Sequence, residues 1–149
     1  MVYERNKLIK IVIKNDRKAK GRVFMRILDR LFNRKKLKTQ ELMNSIPKTA
    51  RIITGNEEKM VPVNQVKVGD VLSVLPEELV PVDGTISFGR TFINQEVITG
   101  DPFPVEKSIG DDVYSGTINR MGAFQMRSIR VGNDSAIQEM LRLTQFKCN

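Results

Sequence analysis

The apolar positions along this 149-residue chain change period twice. Val23, Phe24, Ile27, Leu28, Leu31 and Phe32 recur at helical spacing, with Arg22, Arg26, Asp29 and Arg30 between them. That stripe predicts an amphipathic helix, because residues three and four apart share a face. A second helical stretch runs from about Leu37 to Ser45, with Leu42 and Met43 as its main apolar residues, and ends before Pro47. The earlier run from Leu8 to Ile13 is too short to choose between strand and helix.

From Thr49 the pattern turns strand-like. Short apolar or alternating runs cover Ala50–Thr54, Met60–Val63, Val71–Leu75, Thr85–Phe88, Val113–Ile118 and Ala123–Val131. Turn dipeptides punctuate them: Gly55-Asn56, Gly69-Asp70, Asp83-Gly84, Gly110-Asp111, Met121-Gly122 and Gly132-Asn133. Many short strands with turns this frequent predict a compact all-β sandwich or barrel. The period then returns to helical: Ser135 precedes Ala136 and Ile137, with Gln138 three residues on, a capping-box pattern. Ile137, Met140, Leu141 and Thr144 share one face of the helix that follows.

Charge divides the chain at the same place. Residues 1–39 carry 14 Lys/Arg against 3 Asp/Glu, a net +11, and residues 40–149 carry 11 against 14, a net −3. The +8 of the whole chain is therefore the property of an N-terminal arm. Four readings of that arm stand open: a solvated helical face, a segment near an anionic membrane surface, a nucleic-acid contact, or packing against a partner. At a membrane each Lys or Arg contributes roughly 1 kcal/mol. Nucleic acid is the weaker case, since no aromatic residues interleave these charges for base stacking and only phosphate contacts are supported.

Composition removes several chemistries. The chain has no His, and its single Cys, Cys148, lies at the end. That leaves no disulfide framework, no Ser-His or Cys-His nucleophile, and little basis for an N- or S-ligated metal site. The apolar runs are far shorter than the roughly 20 residues needed to span a bilayer, and the expectation is that this segment does not cross one.

The stretch with most chemical character is Val97-Ile98-Thr99-Gly100-Asp101-Pro102-Phe103-Pro104-Val105-Glu106-Lys107. Two prolines fix φ and bias the residues before them towards extended backbone, while Gly100 can adopt positive φ. The expectation is a stiff exposed loop presenting the Asp101 carboxylate; the plain alternative is an ordinary surface turn.

Around this stretch lie Gly69-Asp70, Pro81-Val82-Asp83-Gly84, Gly110-Asp111, Ser115-Gly116-Thr117-Ile118-Asn119 and Gly122. Singly such pieces are common; in this order and spacing, from about Pro47 to about Leu143, the chain resembles the actuator domain of P-type ATPases, closest to the heavy-metal cation-transporting branch. The resemblance implies a mainly β fold, a distorted jelly roll or double-stranded β-barrel-like actuator domain flanked by N- and C-terminal helices. It divides the chain into a basic helical arm or connector (1–46), the β-rich domain (47–133) and a C-terminal helix or connector (134–149).

Actuators of this family carry a Thr-Gly-Glu-Ser loop that rotates into the phosphorylation site of another domain, where the glutamate activates the water that hydrolyses an aspartyl phosphate. By that resemblance the site residues here are Thr99, Gly100 and Asp101. Asp101 is one methylene short of the glutamate, and Pro102 replaces the hydroxyl. Relatives usually read Val-Asp-Glu-Ser just before the loop, where this chain has Ile93-Asn94-Gln95-Glu96; they read Pro-Gly-Glu where it has Pro76-Glu77-Glu78. Glu77 in place of Gly implies a turn that needs no positive φ, or one slightly strained. Pro81-Val82-Asp83-Gly84 reads as a tight turn, and Gly116, Thr117 and Asn119 as core-shaping residues.

The family's Asp-Lys-Thr-Gly phosphorylation motif is missing, as is a Gly-x-x-x-x-Gly-Lys phosphate loop. The resemblance therefore implies no cofactor in this chain, with ATP and Mg acting in a complete pump. Its partners would be that pump's phosphorylation and nucleotide-binding domains and membrane helices, at the cytoplasmic face of a membrane; an isolated chain would be a soluble cytoplasmic protein. Two other roles stay open: a catalytically silent, actuator-like interaction or regulatory module, and a membrane-surface or nucleic-acid binder acting through residues 1–39.

Overall fold

The computed structural model describes residues 43–147, with side chains as far as Leu141. The predicted helix at 23–32, the basic arm, the run Leu8 to Ile13 and Cys148 lie outside the described residues, and of the helix predicted to end at Ser45 only Met43, Asn44 and Ser45 fall within them, the first two helical and Ser45 in a turn.

Nine strands follow: β1 (Thr49–Thr54), β2 (Glu57–Pro62), β3 (Val71–Val74), β4 (Asp83–Phe88), β5 (Thr91–Asn94), β6 (Val105–Lys107), β7 (Asp112–Val113), β8 (Ile118–Asn119) and β9 (Phe124–Arg130). A one-turn helix α1 (Glu96–Thr99) lies between β5 and β6, and helix α2 (Ala136–Lys147) follows β9. Six strands form one antiparallel sheet in the order β2-β1-β3-β9-β4-β7, and three form a second in the order β6-β5-β8. The sheets do not close into a barrel, but the layout is mainly β as expected, with a helix following the last strand.

Alternation explains which face is inside. Along β9 the residues Phe124, Met126 and Ser128 are buried while Arg127 and Ile129 are exposed. Leu72, Val74, Ile86, Phe124 and Met126 of the large sheet pack with Ile93 of the small one, all within 1% of full burial. Burying each such side chain contributes roughly 1.5–3 kcal/mol, so this shared core binds the two sheets together.

Three local expectations are corrected. Asp83 and Gly84 do not form a tight turn; they open β4, where Gly84 pairs with Ser128 and Val113. Gly84 is needed for close approach: a Cβ there would lie 2.3 Å from the Arg127 carbonyl oxygen and 2.6 Å from Met126 Cε. The run Val113–Ile118 is not one strand but β7 and β8 separated by the turn at Ser115 and Gly116. Ser135 donates its hydroxyl proton to the Gly132 carbonyl at 2.9 Å, and it is a distant carboxylate that takes the first amide of α2. Glu77, for its part, takes positive φ, 69°, so of the two expectations for that turn the strained one holds.

Candidate functional site

Strands β5 and β6 are neighbours, with Thr91 opposite Lys107 and Ile93 opposite Val105. The segment from Gln95 to Pro104 is thus a ten-residue excursion whose two ends are pinned in one sheet. Asn94 starts it: its side-chain oxygen accepts the Glu96 amide at 2.8 Å, one of the amides a helix start leaves unpaired. An amide side chain keeps the oxygen acceptor that this contact requires, so it needs no carboxylate at position 94.

The Gln95 carbonyl then gathers three donors, the Ile98 amide at 2.9 Å, the Thr99 amide at 2.8 Å and the Thr99 hydroxyl at 3.1 Å. Gly100 donates to the Glu96 carbonyl at 2.8 Å with φ 77° and ψ −1°, the left-handed conformation that ends helices. Ile98 is fully buried and Thr99 nearly so, anchoring the turn from beneath. The Thr99 hydroxyl also accepts the Asp101 amide at 3.2 Å. Thr99 and Gly100 therefore fix where the chain leaves the helix, and Asp101 is the next residue out.

Asp101 is half-buried rather than fully presented, and its Oδ1 accepts the Phe103 amide at 3.0 Å. Pro102 and Pro104 have no amide hydrogen, so the Phe103 N–H is the only backbone donor between 102 and 104, and the carboxylate takes it. The prolines thus stiffen the loop and leave the Phe103 amide to the acid. Phe103 projects beyond it, 75% exposed. Beside the loop an open groove of about 440 Å³ is lined by Asn44, Ser45, Asn94, Glu96, Val97, Gly116, Ile118 and Arg120.

The structure places the consecutive Thr99, Gly100 and Asp101 on one bend at the end of α1. Among the described residues no group of three or more Cys, Asp or Glu is placed to hold a metal ion, and no helix is long and apolar enough to cross a membrane. Thr117 and Asn119 are fully buried. The Asn119 amide donates to the carbonyls of Val74 and Gly122 and its oxygen accepts the Thr91 hydroxyl, tying β8 to β3 of the large sheet, to its neighbour β5 and to the turn before β9.

A second polar cluster escaped the sequence reading. Asp83, 3% exposed, accepts the Ser115 amide at 2.9 Å and the Ala136 amide at 2.7 Å, and lies 2.8 Å from the Arg130 guanidinium. Burial pushes its carboxyl above the ordinary carboxylate range, against the pull of Arg130 and the two amides. The signal was in the strand period: Arg130 stands in phase with inward-facing Phe124, Met126 and Ser128, and an inward Arg calls for a buried acid. At the other sheet edge Glu78 accepts from Arg51 at 2.9 Å and from the Leu75 amide at 2.9 Å. Burial works to raise the Glu78 carboxyl, but these two bonds and the Arg51 charge together hold it below its usual value.

Comparison with known proteins fits this geometry. The family model of the P-type ATPase actuator domain matches residues 44–145. A copper-exporting P-type ATPase of Staphylococcus epidermidis is 41% identical over 105 residues, which are 70% of this chain and 13% of that protein. Copper-transporting ATPase 1 of Rhizobium meliloti is 37% identical over 106 residues, 71% of this chain and 13% of that protein. A crystal structure of a zinc-transporting PIB-type ATPase in its E2.Pi state superposes with a TM-score of 0.66 at 26% identity, covering 82% of this chain and 21% of that one. The matched segment is thus 13% of the length of these curated relatives. With its two-sheet core, its pinned β5–β6 excursion and a family match over residues 44–145, the chain belongs to the actuator domain family of P-type ATPases.

Proposed function

We propose that this chain is the actuator of a heavy-metal cation-transporting P-type ATPase and that its Thr99-Gly100-Asp101 bend enters the aspartyl-phosphate site of a separate phosphorylation domain. The observation that carries the reading is the bend itself: a left-handed Gly100 between a buried Thr99 and an acid, at the end of a helix pinned between adjacent strands. Thr99 and Gly100 set the direction of approach, and Asp101 orients the attacking water as a general base. A base must sit within about 2.6–3.2 Å of the proton it takes, so reach decides competence.

ATP and Mg act in the other domains of the pump, and the cation, copper or zinc by analogy with the relatives, is held by membrane helices. Residues 1–46 and 134–149 serve as connectors to those helices, with 47–133 as the rotating body, all at the cytoplasmic face. The arm's positive charge suits an anionic membrane surface there.

A second reading, a silent actuator-like module, is favoured by one observation: the Asp101 carboxylate is folded back on Phe103 and is a methylene shorter than a glutamate. A graft separates the two. With residues 44–145 replacing the actuator of a copper-exporting relative, radiolabelled phosphoenzyme should form from ATP and decay, and Asp101→Ala should block the decay. Decay equally fast with and without Asp101 would leave only the silent module.

A further inference from the structure

Both ends of the described chain converge on one point of the β body. A Cβ added at Gly116 would lie 2.4 Å from Ile137 Cδ1 of α2 and 2.8 Å from the Ser45 carbonyl oxygen. The incoming backbone and the outgoing helix therefore rest directly on the same Cα, which only a residue without a side chain permits. Gly116 also has φ +87°, a region costly for any other residue. One residue earlier, the Ser115 amide is held by Asp83 Oδ1, while Asp83 Oδ2 holds the Ala136 amide that opens α2. Arg130 closes the ring: one of its terminal nitrogens lies 2.8 Å from Asp83 Oδ2 and the other donates to the Asp134 carbonyl at 3.1 Å, in the turn that leads into α2.

We infer that Asp83, Arg130 and Gly116 form a clasp that locks the backbone at Ser45 and helix α2 to the β body, so that these two segments and the loop-bearing sheets turn as one piece. The function of that rigidity rests on the proposed actuator role. Asp83 touches no reacting atom; it is a positioning residue, acting through α2. A buried ion pair is weak support for overall stability but a strong geometric constraint, since both Asp83 oxygens and both terminal nitrogens of Arg130 find their partners in a single arrangement, although the buried Arg130 Nε has none among the described residues. The loop at Asp101 lies on another element, so loosening the clasp leaves the bend intact while uncoupling it from the helix that moves it.

Hydrogen exchange on the full chain tests the clasp without a pump. In Asp83→Asn, which keeps one acceptor oxygen in the site, the amides of residues 139–144 should be accelerated at least about tenfold more than those of Leu72, Val74 and Met126, the signature of local opening beyond any global loss. Arg130→Lys, which keeps the charge and loses the planar fork, should give the same selective pattern at smaller amplitude, and serves if Asp83→Asn does not fold. Equal acceleration of helix and strand amides, or no acceleration of either, would overturn the clasp. In the grafted pump, Asp83→Asn should slow phosphoenzyme decay with formation unchanged; slowed formation would overturn its positioning role. Failure of the unaltered graft to turn over would count against the pump reading alone, because the exchange experiment does not involve it.

Discussion

The Asp83 carboxylate accepts the Ala136 amide at 2.7 Å, joining the first residue of β4 to the first residue of α2 across 53 positions of sequence. With Arg130 at 2.8 Å on the same oxygen, the acid fills a buried site whose other occupants are all donors.

Removing that acid should be far worse than removing an exposed one. Asp83→Ala leaves the Arg130 guanidinium buried without its anion and two amides without an acceptor, and breaking a buried pair this way costs about 3–5 kcal/mol. Asp101→Ala, on the loop, should cost less than about 1 kcal/mol. Urea denaturation of both variants checks the contrast.

Two carboxyls should respond to pH with opposite signs. The Glu78 carboxyl is held below its ordinary value, so its pairing with Arg51 stabilises the fold above the unfolded carboxylate pKa, and that contribution is lost as pH falls through the lowered folded value. The Asp83 carboxyl is raised, so its contribution declines as pH climbs from the unfolded value through the raised folded one. Glu78 is partly solvated, which limits its effect to about 1 kcal/mol. Glu78→Gln should be less stable than the parent at neutral pH and converge with it in acid, measured by denaturant titration at a series of pH values.

Glu77 sits at φ 69°, the only non-glycine residue with positive φ among the described residues. Its pairing with Arg120 is exposed and worth little. Glu77→Gly should therefore hold or raise the melting temperature, with strain relief of about 1 kcal/mol set against the looser unfolded chain, while Glu77→Val should lower it. A calorimetric scan distinguishes the two.

In β4, Gly84→Ala should destabilise the domain by about 1–3 kcal/mol, because the new methyl meets the Arg127 carbonyl at 2.3 Å and backbone does not yield cheaply. Gly55→Ala has open space around its Cβ, though its φ of +62° keeps some strain, so its cost should be smaller. Equal losses would show that conformation rather than approach governs both sites.

Much of this was legible in residue pattern. Alternation located β1, β3 and β9 to within a residue or two, and the Thr99-Gly100-Asp101 order marked the bend. Strands β5 and β6 were missed because Thr91–Asn94 and Val105–Lys107 are too short to show a period, and they are strands only through tertiary pairing, β6 with β5 and β5 also with β8. The role of Asp83 was hidden for a similar reason. An Asp-Gly pair reads locally as a turn, whereas its partners Ser115, Arg130 and Ala136 lie 32 to 53 positions away. Local chemistry spoke for the loop; only tertiary pairing could speak for the clasp.

In the proposed role the Asp101 side chain works on a phosphorylated partner and is limited by its reach. A missing methylene withdraws the carboxylate by roughly 1 Å, and a misplacement of that size costs on the order of a hundredfold in rate. The direct measurement is the phosphoenzyme decay rate of the grafted pump with Asp101 and with Asp101→Glu. Decay should be at least about tenfold faster with the longer acid; an unchanged or slower rate would contradict a role limited by reach.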